Sequence, residues 1–306
     1  MIAFTVLTAI LAGAVRSGSS VLYATLGELV AERAGVTNLG VEGCMLVGAC
    51  IGFVETARSG NVLLGLLAAA LAGALLALLH GYLVIARKAN QLASGLSVWF
   101  FGLGITALIG APYVKANIGG LNPQPIPGLS ALPFVGPVLF NHDVMTYVAY
   151  LLAPAIWFVL FRTKVGIDIR AVGERADVAF AAGLRPGLIQ YGAVAFGGMM
   201  AGLGGAQLSV AYTHTWVENM TAGRGFIAVA LVIFALWQPW RAVAGAILFG
   251  SAVAAQFQVQ TLGWPISPSI LEMLPYLLTL FVLLFAGDSG KRAMPEGLKL
   301  VFRSTA

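Results

Sequence analysis

Val62-Leu-Leu-Gly-Leu-Leu-Ala-Ala-Ala-Leu-Ala-Gly-Ala-Leu-Leu-Ala-Leu-Leu-His-Gly-Tyr-Leu-Val-Ile-Ala86 contains no charged residue. Crossing the hydrocarbon of a bilayer takes about 20 apolar residues in a helix, and this run supplies them. Comparable runs occupy 2–26, 41–57, 91–111, 143–161, 188–211, 242–260 and 271–287, with a shorter one at 225–237. The chain of 306 residues is 59% hydrophobic and 9% charged. That leaves too little polar surface to cover a soluble globule. Ala, Leu and Gly dominate and strand alternation is weak, which argues against a β-barrel. The expected fold is an all-α integral membrane protein: one polytopic helical bundle over residues 1–306 with about 8–10 transmembrane or partial helices.

Basic residues in short loops orient such a chain, so the net charge of +5 does not indicate nucleic-acid binding. Arg87 and Lys88 end one run, Arg162, Lys164 and Arg170 follow another, Arg241 opens a third, and Lys291, Arg292, Lys299 and Arg303 fill the tail. Alternation places all four clusters in the cytoplasm, with the C-terminus inside and the N-terminus outside. The segments 112–142, 212–224 and 261–270 face out and carry only Lys115 and Arg224 as basic residues. The six prolines within 112–142 favour an extended external loop. Arg16 interrupts the first run, which makes it the least regular of the spans.

Arg162 to Arg185 holds eight of the twenty-nine charges. Within it, Val172, Ala176, Ala179, Phe180 and Gly183 share one face of a helix, while Glu174, Arg175 and Asp177 fall largely elsewhere. Gly183 and Pro186 stop that helix. A short helix cannot bury its apolar face alone. It needs lipid or a groove on a soluble partner, and the mixed signs favour a protein over headgroups.

Small residues recur four apart, as Gly198, Gly202 and Ala206 and again as Ala69 and Gly73. Such stripes let membrane helices approach closely. Cys44 and Cys50 are small packing residues with no disulfide framework. A Gly-bearing polar stretch, Asn38-Leu-Gly-Val-Glu-Gly43, enters an apolar run, and Asn219-Met-Thr-Ala-Gly-Arg-Gly-Phe226 does the same. Each precedes two more runs, and the first set begins inside, the second outside. This is the pattern of an inverted repeat with halves 38–111 and 219–287. The Gly223 and Gly225 pair predicts a partial helix; an external turn with Arg224 snorkelling to headgroups is the other reading.

Polar residues at membrane depth are functional suspects. Glu28, Glu32 and Arg33 either mark a cytoplasmic turn or serve function. Glu42 caps backbone amides or meets cargo. Asn90, Gln91 and Ser94 form a polar gate or bond a neighbouring helix, with Asn90 and Ser94 expected on one face. Gln207 and Gln256 suit interhelical bonding. No nucleotide-binding loop is present: Gly290-Lys291 is preceded by Phe285 where a glycine is required, and Arg292 follows. His80, His142 and His214 lack metal-ligand spacing, and no nucleophile elbow occurs. Catalytic residues, a metal site and a bound cofactor are therefore not expected. A self-sufficient carrier would need buried Asp, Glu or His, which the mid-span regions nearly lack, and would leave the 162–187 loop without a purpose. A membrane-embedded enzyme would need an ionisable cluster.

Four motifs carry a resemblance. They are Gly27-Glu-Leu-Val-Ala-Glu-Arg-Ala-Gly-Val-Thr-Asn-Leu-Gly-Val-Glu-Gly43, Ala89-Asn-Gln-Leu-Ala-Ser-Gly95, Ile169-Arg-Ala-Val-Gly-Glu174 and Glu218-Asn-Met-Thr-Ala-Gly-Arg-Gly-Phe-Ile-Ala228. In this order they resemble the permease subunits of bacterial ABC importers of the branched-chain amino acid and simple-sugar superfamily. Within it they are most similar to nucleoside importers that work with basic-membrane-protein-type binding lipoproteins. Arg175-Ala176 departs from the Asn-Pro common in the family, and Leu92-Ala93-Ser94-Gly95 from its Val-Val-Ser-Gly.

The resemblance implies a multi-pass subunit of the cytoplasmic (inner) membrane that forms half of an alternating-access pathway for a nucleoside or a related sugar-bearing solute. Ribose, other simple sugars and other small solutes are the alternatives. It implies three partners: a cytoplasmic ABC ATPase that holds ATP and Mg, a second and distinct permease subunit, and an extracytoplasmic binding lipoprotein. Membrane lipid surrounds the assembly. The expected pathway residues are Asn38, Glu42, Asn90, Gln91, Ser94 and Asn219. The expected ATPase-coupling residues are Val172, Gly173, Glu174, Asp177, Phe180, Ala181, Ala182 and Gly183.

Overall fold

The computed structural model describes residues 2–263 and 266–303. Of the basic tail, the side chains of Lys291, Arg292 and Arg303 lie outside the described set. Helix α1 (Ile2–Arg33) runs unbroken through Arg16. The guanidinium there donates to the Ala211 carbonyl at 3.0 Å and lies over the Tyr212 ring, while its Nε is buried without a partner among the described residues. Helix α2 (Val41–Ser59) ends on Gly60, whose φ of 68° turns the chain, and the Asn61 side chain caps α3 (Val62–Gly81). A π-helical turn, Tyr82–Ala86, completes that run. Helix α4 (Gln91–Gly110) follows.

The proline-rich segment is ordered by local pairing. Strands β1 (Gln124–Pro125) and β2 (Asn141–His142) pair antiparallel around the short α5 (Val135–Leu139). Asp143 then caps α6 (Val144–Arg162) by accepting from the Thr146 amide and hydroxyl at 3.0 and 2.8 Å. Next come α7 (Lys164–Glu174), α8 (Ala176–Ala181) and α9 (Pro186–Ala206), the last prolonged by a π-helical segment, Gln207–Tyr212. Helices α10 (Arg224–Phe234), α11 (Pro239–Thr261), α12 (Pro268–Ala293) and α13 (Glu296–Arg303) complete the chain.

Six helices among the described residues are long and apolar enough to cross a membrane. Their outer faces expose large apolar side chains, such as Leu63, Leu67 and Leu71 on α3 and Leu151 and Phe158 on α6. In water such faces would be costly; in lipid they are at home. The chain is a multi-pass helical membrane protein.

Helix α9 is the axle of the bundle and packs on α1, α2 and α3. The two predicted small-residue stripes meet each other there. A Cβ on Gly202 would lie 2.3 Å from the Ala69 carbonyl oxygen, one on Gly73 2.2 Å from that of Gly198, and one on Gly48 2.3 Å from the Gly202 Cα. Backbone therefore rests on backbone, the arrangement small residues permit in lipid.

Two expectations change. The cytoplasmic face predicted as one helix from Val172 to Gly183 is two helices. The chain breaks at Arg175 (φ −148°, ψ 93°), where the side chain forms a two-point pair with Asp177 at 3.0 and 2.7 Å. The 225–237 run matches its expectation of a partial helix, since α10 has 11 residues. The Arg224 side chain is half-buried, with its Nη1 buried and without a hydrogen-bond partner among the described residues, which argues against the snorkelling reading.

Candidate functional site

Residues 34–40 link α1 to α2 and are drawn into the bundle instead of lying on its surface. Backbone that enters a membrane interior must find partners for its polar groups. Here neighbouring helices supply them. Glu28 Oε1 accepts the Asn38 amide at 2.7 Å, and Gln91 Oε1 accepts the Thr37 amide at 2.8 Å. His80 lies 3.1 Å from the Thr37 carbonyl through Nε2 and 3.1 Å from the Ser94 hydroxyl through Nδ1. The Asn38 side chain accepts the Gly40 amide at 2.8 Å, closing the turn that launches α2.

Glu42 sits one residue inside α2 and is buried. Oε1 accepts the Thr221 hydroxyl at 2.6 Å and the Gly223 amide at 2.8 Å, and Oε2 accepts the Gly225 amide at 2.6 Å. Those amides are the N-cap and second helical position of α10. One carboxylate thus occupies the positive ends of two helices, its own and α10. The glycines are required: Gly223 has φ 83°, and a Cβ on Gly225 would stand 2.4 Å from the Glu42 Cα.

From this point the two helices leave in opposite directions. Residues Leu46, Ala49, Cys50 and Phe53 of α2 pack with Trp216. The far end of α10 reaches Trp237, whose indole donates to Glu32 at 2.7 Å and whose carbonyl accepts from Arg33 at 3.0 Å.

The predicted pathway residues therefore divide. Asn38, Gln91 and Ser94 gather around Thr37 and His80, and Glu42 stands alone at the α10 entry. Asn219 is exposed with φ 55° in the turn before α10. Asn90 does not share a face with Ser94. It is the exposed, extended N-cap of α4, and its side chain accepts the Ala93 amide at 3.0 Å. Helical spacing cannot be counted from a residue outside the helix.

Buried ionisable groups lie at helix ends: Glu28 and Glu32 in the last turns of α1, Glu42 in the first turn of α2 and His80 at the end of α3. Glu28, Glu32, Glu42 and His80 are all buried, each bonded to protein groups. His80, Thr37, Thr221 and Trp237 were absent from the sequence expectation. A single histidine in an otherwise apolar run was the available signal for the first. The others contribute backbone or single bonds that no motif announces.

In the loop, Val172 and Gly173 face the bundle. A Cβ on Gly173 would lie 2.1 Å from the Arg33 carbonyl, and one on Gly297 would lie 2.7 Å from the Gly173 carbonyl oxygen. The joint thus joins α7, the α1–α2 turn and α13. Glu174 accepts the Glu296 amide at 3.1 Å. Asp177, Phe180, Ala181, Ala182 and Gly183 are exposed, Phe180 at 70%. The hydrogen bond from Arg175 holds the Asp177 carboxyl down to about 2. The pair is therefore charged at every pH above the usual carboxylate range and is lost only as pH falls through that value.

A family model described as "Branched-chain amino acid transport system / permease component" matches residues 9–283. A putative glucose ABC transporter permease of Haloferax volcanii is 42% identical over 310 residues, covering 93% of this chain and 94% of the relative. A guanosine ABC transporter permease of Bacillus subtilis is 33% identical over 290 residues, with 90% of each covered. A nucleoside ABC transporter permease of Lactococcus lactis subsp. cremoris is 30% identical over 286 residues, covering 88% and 89%. No solved structure matches the chain. With the family model matched from residue 9 to 283 and a relative 42% identical over 93% of this chain, the chain belongs to the permease components of the branched-chain amino acid transport system family.

Proposed function

We propose that this chain is one half of the alternating-access pathway of an ATP-driven importer for nucleosides or a related sugar-bearing solute. The observation that carries the reading is the exposed apolar tip of the charged loop. Phe180 and Val178 are 70% and 54% exposed on a short helix whose base is pinned to the bundle. The pinned residue, Gly173, ends α7, and the tip stands beyond the Arg175 break on α8; such a tip fits an apolar groove on a soluble partner. The partner is a cytoplasmic ABC ATPase, which carries ATP and Mg. An extracytoplasmic binding lipoprotein delivers cargo, and a second, homologous but distinct permease completes the pathway. The loop and C-terminus then face the cytoplasm across the inner membrane. The halves 38–111 and 219–287 are inverted repeats, a reading supported by the opposed courses of α2 and α10 from Glu42.

The 42% identity to a putative glucose permease favours a second reading, a simple-sugar importer. Proteoliposomes containing this chain, its ATPase, second permease and lipoprotein decide between them. ATP-dependent uptake of labelled guanosine, unaffected by excess glucose, is expected. Glucose uptake insensitive to guanosine would support the sugar reading. Uptake by this chain alone would replace both with a self-sufficient carrier.

A further inference from the structure

At the end of the bundle that carries α7 and α8, a depression of about 560 Å³ is lined by Arg33, Leu236, Gln238, Trp240, Arg241 and Ala293. We propose that it binds the phosphate of an anionic phospholipid, whose acyl chains lie along α11. The inference needs only a membrane-embedded chain and does not depend on the cargo.

Charge is the first ground. Arg241 is exposed, and its side chain has no hydrogen-bond or ion-pair partner among the described residues. Arg33 donates to the Trp237 carbonyl through Nε and Nη2, which leaves Nη1. Arg33 and Arg170 each lie over the Phe161 ring, at 5.7 and 5.2 Å, and Arg170 is outside the lining of the depression. Two carboxylates lie nearby and Glu174 offsets part of the Arg33 charge, so the unpaired positive charge is that of Arg241. Glu32 accepts from the Trp237 indole, and Glu174 from the Glu296 amide. The ion pairs among the described residues, Arg175–Asp177 and Lys299–Glu296, involve none of these arginines.

The helix start is the second ground. Helix α11 begins at Pro239, and Gln238 makes no side-chain cap. Pro239 has no N–H and the Arg241 amide donates to the Gln238 carbonyl at 3.1 Å, so the Trp240 amide is the first-turn donor left at the positive end of this 23-residue helix, beside the depression. Basic pockets between spanning helices recognise phosphate headgroups in this way.

The third ground selects a lipid over a soluble anion. Trp240 is 54% exposed, as suits an aromatic ring at the membrane boundary. Ala244, Ile247 and Leu248 continue its face along α11 and are exposed. A free phosphate has no use for that apolar stripe; an acyl chain does.

The test uses the full-length protein in nanodiscs of phosphatidylcholine containing phosphatidylglycerol, released into a native mass spectrometer. Wild type is expected to retain phosphatidylglycerol in preference to phosphatidylcholine. Arg241→Gln should lower that retention about fivefold, since a basic residue near the surface contributes roughly 1 kcal/mol. Arg241→Lys should keep most of it. Equal retention by wild type and Arg241→Gln would overturn the proposal, as would equal retention of the two lipids. Displacement of the lipid by inorganic phosphate alone would assign the depression to a soluble anion instead.

Discussion

Glu42 satisfies three donors with two oxygens, so its chemistry is tightly constrained. In Glu42→Gln one oxygen becomes an amide nitrogen that meets N–H or O–H donors it cannot accept. An orphaned buried donor costs about 1–3 kcal/mol. The variant should unfold at a lower temperature in detergent than wild type, and Thr221→Val, which removes one donor together with its need, should fall less. Equal melting of Glu42→Gln and wild type would show that the latch contributes nothing. His80→Phe strands the Thr37 carbonyl and the Ser94 hydroxyl together, and a loss of about 1–3 kcal/mol is again expected on melting. Sequence alone raised Glu42 as a cap or a cargo contact. It did not reveal which helix is capped, because the amides belong to residues some 180 positions away.

At the scale of elements, the six helices that qualify as spans among the described residues were legible, since hydrophobic length is the constraint a bilayer imposes, but the run 41–57, read as their equal, is not one of them. The stripes of Ala69–Gly73 and Gly198–Gly202 were legible as contact faces, and they turn out to contact each other. The loop was legible in charge but not in continuity or in its apolar face: Val172 and Ala179 are buried, whereas Phe180 is exposed together with Val178, which the predicted face omitted. Its break at Arg175 coincides with a local side-chain pair that periodicity does not register. Because Phe180 lies beyond that break and Val172 before it, the two have different duties. Phe180→Asp places a charge in the proposed groove, a change that costs a few kcal/mol where the contact is apolar. The variant should insert normally yet lose its ATPase on purification. Retained ATPase together with cargo-stimulated hydrolysis would remove this loop from coupling.

For the molecule as a whole, the joint of Gly35, Gly173 and Gly297 connects the loop to the turn that His80, Glu28 and Gln91 hold. Gln190 braces the same turn by donating to the Ala34 carbonyl at 3.2 Å, and under the proposed coupling a displacement of α7 is expected to reach the α1–α2 turn. Gly173→Val would put a Cβ 2.1 Å from the Arg33 carbonyl and wedge the joint open. ATPase binding through Phe180 should survive while solute moved per ATP falls; an unchanged ratio would mean that force travels by another route.

The bare contacts of α9 bear on how this sequence can vary. Where a side chain forms a contact, a neighbour can shrink or swell in compensation, and a lineage explores by paired exchanges. Gly48, Gly202 and Gly205 offer no such exchange, because the atoms a new Cβ would strike are main chain. Saturation mutagenesis should find these columns nearly empty even in libraries where their neighbours are randomised too. Diversification among descendants of this chain is then confined to its rim, so that new specificities arise around an axis that is inherited whole.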